Sequence, residues 1–203
     1  SMSGTFEDLD VPPTLVSFAV TTEKVQNIVS NEFKAAGHKL CLLKPEYDEN
    51  GLPVAESLLG LFDYVTELLR SGAAVAAYTP GMGGVAEAVM KMAFGNGIGV
   101  SFAENVTMDE LFGHCYGSFV LEMTGEGAGK VIGETTNVPA LTLGDEAMRL
   151  ECLLKAYEDK LESVYPCNIE DAKTPIETVS FDAAFCGAPT IKVAKPKVLI
   201  PVF

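Results

Sequence analysis

Residues 73–99, AAVAAYTPGMGGVAEAVMKMAFGNGIG, commit the chain to a helix packed on a sheet. Residues 73–78 are short, apolar and unbroken, the pattern of a central strand covered on both faces. Thr79-Pro80-Gly81-Met82-Gly83-Gly84 supplies the turn. Val85, Ala86, Val89, Met90, Ala93 and Phe94 then recur at helical spacing, with Glu87 and Lys91 four apart in the favoured order. Gly95-Asn96-Gly97 stops that helix. A helix starting on glycines offers its first backbone N–H groups to an anion. Thr79, Gly81, Met82, Gly83 and Gly84 are therefore the candidate phosphate-contacting residues, although the same glycines equally suit a tight packing turn.

The rest of the chain reads as further layers of an α/β domain with a mixed sheet and packed helices. Residues 1–13 end in Pro12-Pro13 and read as an extended lead-in, and residues 14–22, TLVSFAVTT, as a strand of the sheet interior. Residues 39–44 are a second strand, and residues 45–53 an acidic loop around Asn50-Gly51. Leu58, Leu61, Phe62, Val65, Leu68 and Leu69 stripe a helix over residues 54–71, which Gly72 ends. Residues 98–103 and 116–123 are strands flanking a short helical turn capped by Thr107. Residues 130–134 and 139–143 follow as sheet-edge strands. Ala147, Leu150, Leu153, Leu154, Tyr157 and Leu161 mark one long amphipathic helix from Asp145, after Gly144. Residues 14–166 thus form the main domain and residues 167–196 a linker. Residues 197–203, KVLIPVF, have the signature of a buried parallel strand with nothing to cover it, which implies a piece of a longer polypeptide.

Charge excludes several partner classes. With 14 basic and 28 acidic residues the net charge is -14, which repels nucleic acid backbones and anionic membranes. No stretch approaches the ~20 apolar residues that span a bilayer. The N-terminus carries no signal-peptide pattern, so a cytoplasmic location is expected, with neither nucleic acid nor membrane as partner. Cys41, Cys115, Cys152, Cys167 and Cys186 are scattered without a C-x-x-C pair, as suits reduced, mostly buried thiols. His114-Cys115 joins a base to a thiol, but neighbours on a strand point to opposite faces. Two distant histidines and isolated cysteines give no zinc spacing, and Glu46, Asp48 and Glu49 do not match a calcium loop. No metal ligand and no catalytic residue is assigned.

Two nucleotide motifs almost fit. Gly81 to Ala86 match G-x-G-x-x-A after a strand and before a helix, and Glu104 stands where a ribose-binding acid is wanted. A dinucleotide fold, however, places this turn after its first strand. Residues 125–131, GEGAGKV, lack both the leading glycine and the Ser or Thr of a phosphate loop.

Several blocks in order identify a family resemblance. Ser1-Met2-Ser3-Gly4, residues 11–18 (VPPTLVSF), 31–38 (NEFKAAGH), 78–88 (YTPGMGGVAEA) and 115–119 (CYGSF) resemble phosphoribosylformylglycinamidine synthase. Residues 197–203 are similar to the first strand of its glutamine amidotransferase domain. The resemblance covers essentially the whole chain. It implies an ATP-dependent purine-biosynthesis ligase that converts formylglycinamide ribonucleotide and glutamine to formylglycinamidine ribonucleotide, glutamate, ADP and phosphate. Its synthetase core holds two tandem copies related to aminoimidazole ribonucleotide synthetase. This chain resembles the C-terminal half of the second copy, with the preceding half-domain and the following amidotransferase domain as partners and ATP or ADP and Mg2+ as cofactors of the complete enzyme.

In many relatives the turn before the corresponding helix reads like H-D-x-S-D-G-G. Here Thr79-Pro80-Gly81-Met82-Gly83-Gly84 keeps the glycine pair and lacks the imidazole and carboxylates. The resemblance therefore implies a fragment inactive alone, with a structural or auxiliary nucleotide-binding role. A phosphate- or nucleotide-binding regulatory module is the alternative, and a dinucleotide-binding domain a third reading.

Overall fold

The computed structural model describes residues 2–164 together with residues 166, 177 and 180. The expectations for residues 167–196 and 197–203 fall almost wholly outside the described residues. All elements lie within the compact unit Ser1–Tyr165. In chain order they are β1 (Met2–Phe6), β2 (Leu9–Thr14), β3 (Lys39–Leu43), α1 (Ala55–Ser71), β4 (Ala74–Tyr78), α2 (Gly84–Phe94) and β5 (Gly99–Phe102). These are followed by α3 (Met108–Phe112), β6 (Phe119–Met123), β7 (Lys130–Thr136), β8 (Ala140–Leu143), β9 (Glu146–Arg149) and α4 (Leu150–Glu158).

Seven strands form one mixed sheet in the order β4-β6-β3-β7-β5-β8-β9, in which β5 and β8 are parallel and every other pair antiparallel. Alternation along β3 and β6 sorts side chains between two cores. Leu40, Leu42 and Val120 join Val85, Val89 and Met92 of α2 on one face. Cys41, Leu43, Leu121 and Met123 join Leu61 and Val65 of α1 on the other. α1 thus covers β3, β4 and β6 on one face while α2, α3 and α4 lie on the other, as the mixed α/β expectation requires.

Four local expectations are corrected. First, β4 is an edge strand and not a central one. Its apolar run reports two covered faces: Ala74 lies in the α1 core and Ala76 in the α2 core, with a register shift between them. Helices, not flanking strands, bury it. Second, the lead-in is an exposed antiparallel hairpin of β1 and β2, and residues 15–22 form no strand. Third, residues 145–149 are not helical. Gly144, with φ 57°, and Asp145 make a two-residue turn that pairs Leu143 with Glu146, so β9 precedes α4. Fourth, β7 lies in the middle of the sheet, where β3 and β5 flank it.

Candidate functional site

The turn between β4 and α2 is closed by its own residues. Gly84 N–H donates to the Gly81 carbonyl at 3.1 Å, and Gly83 N–H donates to Glu87 Oε2 at 2.8 Å. Lys91 Nζ donates to Glu87 Oε1 at 2.6 Å and sits 5.5 Å from the Tyr157 ring centre. One carboxylate therefore caps the helix start and is neutralised one turn later. The Lys91 hydrogen bond, then that from Gly83 N–H, holds the Glu87 carboxyl below its ordinary value, while the same pair raises Lys91.

Both glycines are required by space. A Cβ on Gly83 would lie 2.6 Å from Glu87 Cβ. One on Gly84 would lie 2.5 Å from the Leu111 carbonyl oxygen, at a φ of +67° that L side chains rarely adopt. The turn is thus wedged against the end of α3. Met82 projects to solvent, 82% exposed. Beside the turn, Ala86 and Met90 of α2, Phe112 of α3, Met148 of β9 and Leu153 of α4 line an apolar cavity of about 470 Å³ that Gly83 and Glu87 also border. The candidate residues Thr79, Gly81, Met82, Gly83 and Gly84 stay together on one turn, but the N–H groups of Gly83 and Gly84 are engaged internally.

The other candidates disperse. Cys115 is buried, which pushes its thiol up, while the His114 ring stacks on Tyr116 at 5.7 Å. Lys130 of the GEGAGKV loop pairs with Glu110 of α3. Among the described residues no group of three or more His, Cys, Asp or Glu side chains has the arrangement to hold a metal ion. Three strands separate β4 from β5, so β4-α2-β5 lacks the adjacent parallel strands that form a dinucleotide crevice.

One polar centre escaped sequence reasoning. Glu122 of β6 is completely buried and accepts hydrogen bonds from Lys34 N–H at 2.8 Å and Ala35 N–H at 3.1 Å. His38 Nδ1 lies 2.7 Å from its Oε1. Thr135 of β7, also buried, receives His38 N–H at 2.9 Å and donates to the Ala35 carbonyl at 2.7 Å. Together they pin residues 34–38 across the sheet. The only signal was a single charge in the apolar strand FVLEM, at a position whose alternation points it inward.

These layers define a mixed α/β domain, a seven-stranded sheet with α1 on one face and α2 to α4 on the other. Three solved structures from Thermotoga maritima share that fold. Phosphoribosylformylglycinamidine synthase II matches at a TM-score of 0.51 and 14% identity, over 77% of this chain and 31% of that one. PurL complexed with ADP matches at 0.52 and 15% identity, over 77% and 30%. PurLQS matches at 0.53 and 12% identity, over 80% and 32%. The chain spans about a third of the length of each of these structures. No family model matches the sequence.

Proposed function

We propose that this chain is a non-catalytic domain of a phosphoribosylformylglycinamidine synthase, the C-terminal-type half of its second synthetase copy. In the complete cytoplasmic ligase, the preceding half-domain and a glutamine amidotransferase domain are its partners, and ATP and Mg2+ are used elsewhere in the assembly. The observation that carries this reading is the Glu87 bridge between Gly83 N–H and Lys91. It leaves the turn without an unengaged acid or base, beside an apolar cavity in place of a polar cradle. Purified chain supplied with formylglycinamide ribonucleotide, ATP, Mg2+ and ammonia is expected to form no amidine. Product formation by the chain alone overturns the proposal.

A second reading is favoured by the solved PurL that is complexed with ADP. Thr79, Gly81, Met82, Gly83 and Gly84 then contact a nucleotide phosphate in an auxiliary site, once the phosphate displaces Glu87 from Gly83 N–H. ADP should in that case raise the melting temperature, and more strongly in Glu87→Gln, which removes the competing negative charge. Identical melting curves with and without ADP in both proteins leave the structural role alone.

A further inference from the structure

Glu122 is a completely buried carboxylate, and its surroundings leave one side chain able to bring it a positive charge. A buried ion must be matched by donors or by a cation. Lys34 N–H and Ala35 N–H reach it, but the Lys34 amine does not: it is held by oxygens of Ser30 and pairs with Glu32 in its own segment. Lys39 of β3 stands opposite Glu134 of β7, on the face away from Leu40 and Glu122. Lys91 of α2 pairs with Glu87 of the same helix. β4 sets Ala76 opposite Glu122, and its titratable Tyr78 stands opposite Val120. There remains His38, whose Nδ1 lies 2.7 Å from Glu122 Oε1.

The two ends of this contact differ in their access to water. The Glu122 side chain is 0% exposed and that of His38 is 23% exposed. An ionised carboxylate only accepts, so Nδ1 carries a hydrogen, and Nε2 is the nitrogen that exchanges a proton with solvent. The neutral ring therefore still donates to Glu122. The imidazolium donates to it through a shorter and stronger, charge-assisted hydrogen bond. Glu122 also accepts from the backbone of residues 34 and 35, so the strength of this one contact bears on how firmly the whole segment is held to β6.

We propose that Glu122 and His38 form a proton-responsive clasp, which holds residues 34–38 to β6 firmly when His38 is charged and more loosely when it is neutral.

Two measurements on the whole chain test it. Nitrogen-15 shifts of the histidine rings should show neutral His38 with its hydrogen on Nδ1; a neutral ring with the hydrogen on Nε2 overturns the proposal. Hydrogen exchange reads the clasp itself at pH 5.5 and pH 8, on either side of the ordinary histidine range. Corrected for the intrinsic rate at each pH, opening of the Lys34 and Ala35 amides should be about threefold or more rarer at pH 5.5. Amides of β9, at the opposite end of the sheet, should show no such ratio. His38→Asn keeps a neutral donor near the Nδ1 position and should abolish the ratio at Lys34 and Ala35. The ring shifts and the wild-type ratio stand without that variant. Equal opening at the two pH values in wild type, the same ratio at β9, or a ratio that persists in His38→Asn each overturns the proposal.

Discussion

Glu122 shows how much of the fold one side chain can hold. Its carboxyl is fully buried, and two backbone N–H donors and the His38 ring converge on it from a segment 84 to 88 residues earlier in sequence. Glu122→Ala removes the acceptor of the Lys34 and Ala35 N–H groups and the partner of the part-exposed His38 ring, so a loss of about 1–3 kcal/mol is expected. Glu122→Gln keeps one acceptor oxygen but turns an NH2 toward the same donors, and should recover only part of it. Urea unfolding midpoints decide; an alanine variant within about 0.5 kcal/mol of wild type removes the anchoring role. Gly84 is a second such residue. With φ at +67° and the Leu111 carbonyl 2.5 Å from any added Cβ, Gly84→Ala must strain the turn and push α3 away, at a cost of about 1–3 kcal/mol. Gly97→Ala, at a φ of +66° but with open space around it, isolates the backbone part of that cost and should lose less.

Helix α2 owes its start to the Glu87–Lys91 pair, and the pair makes its stability depend on pH. Glu87 titrates below its ordinary value of 4.5 in the folded chain, so its stabilisation is complete above that value and is lost as pH falls through the lowered one. Lys91 is raised above 10.5, so its share is present below that value and disappears as pH rises through the raised one. Glu87→Gln should therefore melt below wild type near neutrality, by the equivalent of about 1 kcal/mol, and converge with it in acid. Parallel melting curves across the acid range would show that Lys91 and Gly83 contribute nothing through Glu87. The pair was legible in the sequence because helical spacing alone brings residues four apart together. So were α1, from its stripe and the left-handed cap at Gly72, and α3, where Thr107 and Glu110 form a reciprocal capping box. Other elements were not, since their signals depend on distant partners. Apolar β4 could be central or edge until the positions of α1 and α2 were known. Residues 146–149 share helical spacing with α4, and the Gly144-Asp145 turn outweighs it only because β8 is there to pair. The turn at residues 79–84 was visible as glycine chemistry, but nothing in its spacing said that Glu87 would fill Gly83 N–H.

Across the whole molecule, stability should follow strand order and not chain order. β3 and β7 are central and take hydrogen bonds from two neighbours, β3 with core on both faces and β7 with Ile132 in the α2 core. Their amides can exchange only when the sheet itself opens. β9 is exposed at all four residues and pairs on one side only, and the β1–β2 hairpin forms a separate two-stranded sheet. Local fraying releases both without disturbing either core. Hydrogen exchange should accordingly rank Leu40, Leu42 and Ile132 among the slowest amides, and residues 146–149 and 2–14 among the fastest. Edge strand β4 makes the discriminating case. If helical cover protects it, as the burial of Ala74 and Ala76 implies, its amides bonded to β6 exchange far more slowly than those of β9, the opposite edge. Equal exchange at the two edges would mean that α1 and α2 open independently of the sheet. The two cores would then be separate cooperative units joined through β3, β4 and β6.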